Sequence, residues 1–271
     1  MHIVVCTKQV VDPDGVNSFA LWGRLEIDEA KRGFATDIPL IMNAYDEQAI
    51  EAALRLRDDG IDCTITAIAV GADEATGMLR HAIAMGCDRS VLVTDPQRDL
   101  ADGFRTATLL AAAIRELEAV DLVLCGRQAS DFDQGTVPAV LSELLDTAYV
   151  TTAADVRADS GAADERLRIT RATPTGEEVV TASMPATVTV SNEIGIPRYP
   201  TGKGRMAARK QPPTVRPADE LLDGAGAHPV ELVELFIPEV QGQCEVVDGD
   251  SPAAQAEALI GRLREAGVLD G

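Results

Sequence analysis

Residues 121–137 read DLVLCGRQASDFDQGTV, an apolar run followed by a polar loop that contains two glycines. The run Leu122–Cys125 predicts a strand, and a helix is predicted from about Thr136 to Leu145. Backbone N–H groups at a helix start, near a glycine that permits close approach, can bind a phosphate, and the Thr136 hydroxyl adds a donor. The alternative is an ordinary loop in which Asp133 caps the helix. The sequence has no Walker motif and no G-x-G-x-x-G, so the standard nucleotide fingerprints are absent.

Strand-like and helix-like segments alternate on the amino-terminal side of this stretch, apart from an irregular stretch that ends at Met42. This alternation predicts an α/β fold with a doubly wound parallel sheet and helices on both faces. Right-handed crossovers bring the carboxyl ends of the strands to one edge, where ligands of such sheets bind. The loops after Thr7, Val70, Thr94 and Gly126 are therefore the places to search. The predicted elements are the strands His2–Thr7, Cys63–Val70, Ser90–Thr94 and Leu122–Cys125 and the helices Tyr45–Asp58, Glu74–Met85, Asp102–Leu117 and Thr136–Leu145.

Three single residues lie at or near this predicted edge. Asn43 either only caps the helix that follows it or also faces a ligand. Cys6 and Val70 stand at strand ends, where each is either a core residue or part of the ligand crevice.

The pattern changes at Thr151. Apolar residues at Val156 and in Leu167–Ile169 and Val179–Ala182 predict an antiparallel hairpin, with Pro174–Gly176 as its turn. The hairpin is an addition to the parallel sheet, and a further strand is predicted directly after it at residues 186–191.

The remaining chain predicts little regular structure until its last helix. We expect a domain at residues 1–217 and, at residues 218–271, a linker and C-terminal arm that packs on another subunit. Arg198–Pro217 is a basic stretch rich in proline and glycine, which predicts an exposed loop. Ala218–Pro229 is predicted as a linker. An apolar run follows at Leu232–Ile237, and a helix is predicted at Pro252–Ala266.

The composition excludes several classes of function. The formal net charge of −20 disfavours nucleic acid and anionic membrane surfaces as partners. Five cysteines without a C-x-x-C, and three scattered histidines, predict reduced thiols and no metal site. Residues 1–6 are apolar with no basic lead-in, so we expect a first strand instead of a signal peptide, no membrane span and a cytoplasmic protein.

Several segments occur together in a characteristic order and spacing: Met1–Val10, Asn43–Asp46, Glu51–Leu56, Ala84–Arg89, Asp121–Ala129 and Pro197–Pro200. This ordered set, which spans roughly residues 1–216, resembles the beta subunit of electron transfer flavoproteins. The resemblance implies an adenine nucleotide alpha hydrolase-like fold that binds AMP, or a second FAD in electron-bifurcating branches. It also implies an alpha subunit that holds the main FAD and receives the C-terminal arm of this chain.

The resemblance places the nucleotide contacts on the same edge that the alternation of strands and helices predicts. No catalytic residue is expected, because the redox chemistry belongs to the flavin. Carried over by position, the contacts are Cys6, Asn43, Ala44, Tyr45, Asp46, Val70, Gly126, Arg127, Gln128, Ala129, Asp131, Asp133, Gln134, Gly135, Thr136 and Val137.

The family's partner-recognition loop corresponds to residues 199–208. The implied partners are acyl-CoA or other dehydrogenases as electron donors, in fatty acid oxidation, and a quinone oxidoreductase or other acceptor. In the family a leucine anchors this loop, and Gly202 occupies that position here. A basic loop on an acidic protein also suits an acidic partner. The residues predicted to recognise partners are Arg198, Tyr199, Gly202, Lys203, Arg205 and Met206.

Two alternatives to the electron carrier remain open at this point. One is an electron-bifurcating variant with a second FAD in this subunit, which predicts about two FAD per heterodimer where the carrier predicts about one. The other is a stand-alone nucleotide-binding module of the universal-stress type, or a small hydrolase, which predicts a stable monomer or homodimer; bound ATP would favour this alternative.

Overall fold

The computed structural model describes residues 1–17, 26–28, 33–35, 37–96, 102–159, 166–222, 233–234, 236 and 244–269. The strands are β1 His2–Cys6, β2 Gln9–Val11, β3 Glu26–Asp28, β4 Gly33–Ala35, β5 Leu40–Met42, β6 Thr64–Gly71, β7 Arg89–Thr94, β8 Leu122–Gly126, β9 Ala148–Ala158, β10 Arg166–Thr173, β11 Gly176–Ser183, β12 Ala186–Val190 and β13 Thr214–Pro217. The helices are α1 Pro13–Asn17, α2 Ala44–Asp58, α3 Thr76–Met85, α4 Gly103–Arg115, α5 Thr136–Leu145, α6 Gly202–Ala208, α7 Ala218–Leu221 and α8 Pro252–Glu265, with 3₁₀ turns at Asp73–Ala75 and Asn192–Ile194.

The described strands form a nine-stranded sheet in the order β11-β10-β9-β12-β8-β1-β6-β7-β13. In the sheet, the seven adjacent strands β9-β12-β8-β1-β6-β7-β13 are all parallel to their neighbours. The pairs β9–β10 and β10–β11 are antiparallel. In β1, β8 and β12 every residue is buried, as expected of strands that are covered on both faces. The short pairs β2–β5 and β3–β4 form two small additional sheets, where the sequence predicted irregular chain.

Two apolar clusters cover the two faces of the sheet. On one face α2 and α3 pack with side chains such as Ile50 and Leu79, and on the other α4 and α5 pack with Leu109 and Leu141. Alternate strand residues supply the two clusters because side chains along a strand point to opposite faces. The predicted doubly wound α/β fold is confirmed, and the predicted hairpin is β10–β11, with Thr173 opposite Gly176.

The segment Arg198–Pro217 was predicted as an exposed loop, and this prediction is wrong in part. Thr201 caps α6 by accepting a hydrogen bond from the Gly204 amide at 3.0 Å, and β13 pairs with β7 as an edge strand. Gly204 permits α6 to pack closely, since a β-carbon there would lie 2.3 Å from the carbonyl oxygen of Ala84. Proline is tolerated at the end of an edge strand, so the composition of this segment misled the prediction.

The chain divides into two compact units, Met1–Leu235 and Phe236–Gly271. In the second unit, α8 begins after Ser251, which accepts a hydrogen bond from the Ala254 amide, and it matches the predicted helix at 252–266. The predicted linker Ala218–Pro229 begins instead with the short helix α7, and its residues from 223 onward lie outside the described residues. Three of the six residues in the run Leu232–Ile237, at positions 232, 235 and 237, lie outside them too. The boundary after residue 217 and the packing of the arm stay predictions.

Candidate functional site

A cleft opens at the carboxyl ends of β1, β6 and β8, beside α4 and α5; we call it the carboxyl-edge cleft. It contains about 870 Å³ of space outside the protein atoms, part of it open solvent. Its position coincides with the edge that the alternation of strands and helices predicts. The lining consists of Cys6, Thr7, Lys8, Asn43, Asp46, Val70, Gly103, Thr106, Leu110, Cys125, Gly126, Gln128, Ala129, Gln134, Val137 and Pro138.

The cleft brings together part of the predicted nucleotide site. The predicted residues that line it are Cys6, Asn43, Asp46, Val70, Gly126, Gln128, Ala129, Gln134 and Val137. The predicted residues that are not in its lining are Ala44, Tyr45, Arg127, Asp131, Asp133, Gly135 and Thr136.

Two of the predicted residues outside the lining make contacts that stabilise the loop after β8. The Arg127 guanidinium lies 5.2 Å from the centre of the Tyr45 ring, which fastens the loop after β8 to the start of α2. Asp133 has a left-handed backbone with φ of 55°, and its Oδ1 accepts a hydrogen bond from Gln128 Nε2. It therefore does not cap α5, whose N-cap residue is Gly135.

Part of the lining was not predicted from the sequence: Thr7, Lys8, Gly103, Thr106, Leu110, Cys125 and Pro138. Thr7, Lys8 and Cys125 directly continue or belong to predicted strand ends, so a wider search of those ends would have found them. Gly103, Thr106 and Leu110 lie on α4, one turn after another, and only the packing of α4 beside α5 brings them to the cleft.

Gly126 marks the closest approach between the sheet and α2. A β-carbon at this position would lie 2.3 Å from Asp46 Oδ1 and 2.7 Å from Tyr45 Cβ. Glycine is required here because any larger residue would push the start of α2 away from the end of β8.

Asp46, in the first turn of α2, is a buried carboxylate at the cleft. Its Oδ2 accepts a hydrogen bond from the Lys8 amide at 2.7 Å, and its Oδ1 accepts from the Gly126 amide at 3.2 Å and from Asn43 Nδ2 at 3.0 Å. Burial raises the pKa of Asp46 to about 7, although these hydrogen bonds act in the opposite direction. The carboxyl group therefore titrates near neutral pH.

The Asn43 side chain binds the loop after β8 and does not cap α2, the helix that follows it. It occupies the N-cap position of α2 without a side-chain capping bond. Its Nδ2 donates to the Gln128 carbonyl at 2.9 Å, and its Oδ1 accepts from the Ser130 amide at 3.3 Å. Of the two predicted roles, capping is wrong, and the side chain instead shapes the wall of the cleft.

Lys8 connects the end of β1 to the same loop. Its Nζ lies 2.8 Å from the Asp131 carboxylate and 5.4 Å from the centre of the Phe132 ring. The Asp131 side chain is 8% exposed; it does not line the cleft itself but contacts Lys8, which does.

The amino terminus of α5 offers backbone donors at the cleft. Within the part of the chain that the structure describes, no side chain caps α5, whereas Asp102 caps α4 by accepting from the Arg105 amide at 2.8 Å. A β-carbon at Gly103 would lie 3.5 Å from Val137, so the two helix starts adjoin. Pro138 has no N–H, so the first turn of α5 offers the Thr136 and Val137 amides, for which no capping side chain occurs among the described residues and which could bind an anion.

The predicted partner-recognition residues lie in a second, exposed region that we call the 196–206 segment. Arg198 anchors it: Nε and Nη2 contact Glu51 Oε2 and Oε1 at 2.8 and 3.1 Å, and Nη2 contacts Asp58 at 2.7 Å. Burial opposes ionisation of Glu51, but hydrogen bonds from Arg198 and Arg55 outweigh it and lower the pKa of Glu51.

The other side chains of this segment face solvent. Tyr199 is 87% exposed, Ile196 85% and Met206 66%, and Gly202, Lys203 and Arg205 are also exposed. An anchored backbone that presents apolar side chains to solvent is typical of an interaction surface.

The described residues lack two features that would indicate other classes of function. No helix there combines the length and the apolar character that a membrane crossing requires. Nor do those residues contain a group of three or more His, Cys, Asp or Glu side chains arranged to hold a metal ion.

Comparison with known proteins identifies relatives of this chain. The profile described as "Electron transfer flavoprotein domain" matches residues 33–221. The chain is 33% identical over 272 residues to the electron transfer flavoprotein subunit beta of Clostridium acetobutylicum, covering 98% of both chains. It is 32% identical over 276 residues to that of Thermoanaerobacterium thermosaccharolyticum, covering 99% of this chain and 100% of the relative.

A third relative is the caffeyl-CoA reductase-Etf complex subunit CarD of Acetobacterium woodii, with 30% identity over 274 residues, 99% of this chain and 100% of the relative. Similarity over the whole length favours a subunit of this kind over a stand-alone nucleotide-binding module. The chain belongs to the electron transfer flavoprotein family, among its beta subunits.

Proposed function

We propose that this chain is the beta subunit of a heterodimeric electron transfer flavoprotein, with an AMP in the carboxyl-edge cleft and FAD held jointly with an alpha subunit. When bound, FAD supplies the electron-transfer chemistry, and the protein supplies binding, orientation and electrostatics. The uncapped start of α5 beside the cleft is the observation that carries the AMP proposal.

The residues present fit an adenylate. The first-turn amides of α5 would hold the phosphate, and the apolar side chains of Val70, Leu110 and Val137 offer contact area for the base. Asn43 and Asp46 would keep the loop after β8 in place around the nucleotide through their hydrogen bonds.

Two surfaces support the proposed partners. The 196–206 segment would dock a dehydrogenase such as an acyl-CoA dehydrogenase, or an electron acceptor such as a quinone oxidoreductase, through Tyr199 and Met206. On α8, Leu259 and Ile260 are 46% and 42% exposed, and they form an apolar stripe with Ala256 and Leu263 at helical spacing. This stripe would pack on the alpha subunit.

Nucleotide extraction from the co-expressed heterodimer tests the proposal. The carrier predicts about one AMP and about one FAD per heterodimer, with the visible absorption spectrum of a flavin. A chain that purifies alone, stably folded and loaded with ATP, would contradict it.

A second candidate is an electron-bifurcating subunit with FAD in the same cleft. The observation that favours it is the similarity of 99% of this chain to CarD, a subunit of the caffeyl-CoA reductase-Etf complex. The same extraction decides between the two, because this candidate predicts about two FAD and no AMP.

A further inference from the structure

Two cysteine side chains lie next to each other in the floor of the carboxyl-edge cleft. Cys6 ends β1, Cys125 lies near the end of β8, and the two are directly paired across these parallel strands. Both belong to the apolar cluster on the α4–α5 face, together with Val4 and Val123, so both side chains point to the same face of the sheet. Both also line the cleft.

The spacing of the two residues suits a covalent bond. Neighbouring strands lie roughly 4.7–4.9 Å apart, and a disulfide joins Cα atoms roughly 4.4–6.8 Å apart. The two side chains are neighbours on one face of the sheet, at directly paired positions of β1 and β8. A bond between the sulfurs therefore requires side-chain rotation and no separation of the strands.

Cys6 is a predicted nucleotide contact, but a nucleotide needs no thiol, so the proposed function gives the sulfur chemistry of this pair no role. Cys6 is 7% exposed and Cys125 is 3% exposed, and the cleft is the side from which solvent reaches them. Both are free thiols, as are the buried Cys87, the half-buried Cys63 and the exposed Cys244.

We propose that Cys6 and Cys125 form an oxidative modification site, at which a peroxide converts the two thiols into a disulfide in the floor of the cleft. The sulfur of one cysteine attacks the peroxide, an S–O bond forms as the O–O bond breaks, and one water leaves. The sulfur of the other cysteine then attacks this sulfenic acid, the S–S bond forms as the S–O bond breaks, and a second water leaves. Two thiols lose two electrons and two protons, and hydrogen peroxide is reduced to two waters.

The environment of the pair sets the order in which cysteines react. The hydrogen bond with Cys6, burial and nearby negative charge raise the pKa of the Cys125 thiol well above its usual range. Because the thiolate is the reactive form, the pair reacts more slowly than an exposed thiol such as Cys244. The experiment therefore uses a Cys244→Ser background, which removes the fast competitor.

The test treats the co-purified heterodimer of this background with hydrogen peroxide, blocks remaining thiols and maps the linkages by mass spectrometry. The expected product joins the Cys6 and Cys125 peptides, weighs two hydrogens less than the reduced pair and is reversed by dithiothreitol. A matched variant that adds Cys125→Ser should give no linkage at Cys6 and instead a sulfenic acid there, captured by dimedone.

Other products would overturn the proposal. These are a linkage between Cys63 and Cys87 with both cleft thiols still free, or separate oxidation of Cys6 and Cys125 to sulfinic acids without a bond. Since the linkage is mapped in the background protein itself, a folding failure of the Cys125→Ser variant would not prevent the decision.

A second part of the experiment, oxidation in the presence of AMP, rests on the proposed function. Access to the sulfurs runs through the cleft, so AMP at about 100 times its Kd, which leaves about 1% of clefts empty, should slow disulfide formation about 100-fold. An unchanged rate with AMP demonstrably bound would contradict access through the cleft. Failure of AMP to bind at all would refute the proposed function and leave the mapped disulfide standing.

Discussion

The carboxyl-edge cleft and the 196–206 segment are held in place by opposite means. At the cleft, Asp46 is buried under three N–H donors, and Gly126 leaves no space for a β-carbon. In the segment, one arginine anchors the backbone from below, and Tyr199 and Met206 remain in solvent. The comparison indicates a cleft preorganised for a small ligand and a surface that is complete only with a partner. Changes at the cleft should therefore alter folding and binding together, and changes at exposed positions should alter partner reactions alone.

The largest expected effect is a pH dependence centred on Asp46. Its folded pKa of about 7 lies above the ordinary aspartate pKa of 3.8, so between these values the native state binds more protons than the unfolded state. Stability from this group is therefore lost as the pH rises toward and through 7, in total on the order of 4 kcal/mol.

Urea unfolding of the wild-type protein and an Asp46→Asn variant from about pH 4.5 to about pH 8 measures the contribution of Asp46 to stability. All other carboxyl groups are present in both proteins, so their effects cancel in the difference. The stability of the wild type relative to the variant should decline across this range. A difference independent of pH would show that Asp46 ionises normally.

Gly126→Ala should damage the cleft next most severely. Forcing a β-carbon against Asp46 and Tyr45 costs about 3 kcal/mol and, by displacing the start of α2, lowers AMP affinity by at least about tenfold. Calorimetric titration of the nucleotide-free heterodimer with AMP measures this loss. Gly77→Ala is the matched control, since nothing lies within 4 Å of a β-carbon there. Equal affinities for the two variants would refute the close approach.

Glu51→Gln tests the contact between Glu51 and Arg198, which anchors the 196–206 segment to α2. The substitution removes the charge that Arg198 and Arg55 share, and we expect a loss of about 2 kcal/mol in unfolding free energy. Asp58→Asn is the matched control, because it contacts the same arginine from an exposed position and should cost less than about 1 kcal/mol. Losses of the same size would mean that burial of Glu51 does not matter to this contact.

Tyr199→Ala should have the smallest effect on folding and a selective effect on electron transfer. The side chain is 87% exposed, so stability should change by no more than about 0.5 kcal/mol, while reduction of the flavin by the partner dehydrogenase slows. Val179→Ala, 53% exposed on β11, is the control and should leave that rate unchanged. Stopped-flow flavin reduction separates the two, and an unaffected rate in Tyr199→Ala would remove this residue from the proposed docking surface.

Much of the fold was predictable because its signals are local. The strand, loop and helix around residues 122–145 are visible in hydrophobic spacing, and the turn at Pro174–Gly176 determines a hairpin. The details of the site depend on partners far along the chain. Asn43 contacts Gln128, 85 positions away, and Lys8 pairs with Asp131, 123 positions away, so a local rule predicted a cap where the fold made a tertiary bond.

The same limit explains the error at Arg198–Pro217. Gly204 in the sequence indicates a loop, but in the fold it permits α6 to pack closely on α3. Pro217 is compatible with a strand only at the edge of the sheet, where β13 lies. Neither neighbour can be read from the segment itself.

A structure of the purified heterodimer with its endogenous ligands would decide whether the carboxyl-edge cleft binds an adenine nucleotide. We expect this nucleotide between the end of β8 and the first turn of α5, with its phosphate on the α5 amides and its base against Val70 and Val137. Contradiction would be the same edge occupied by side chains or by a segment of either subunit, with the nucleotide bound elsewhere.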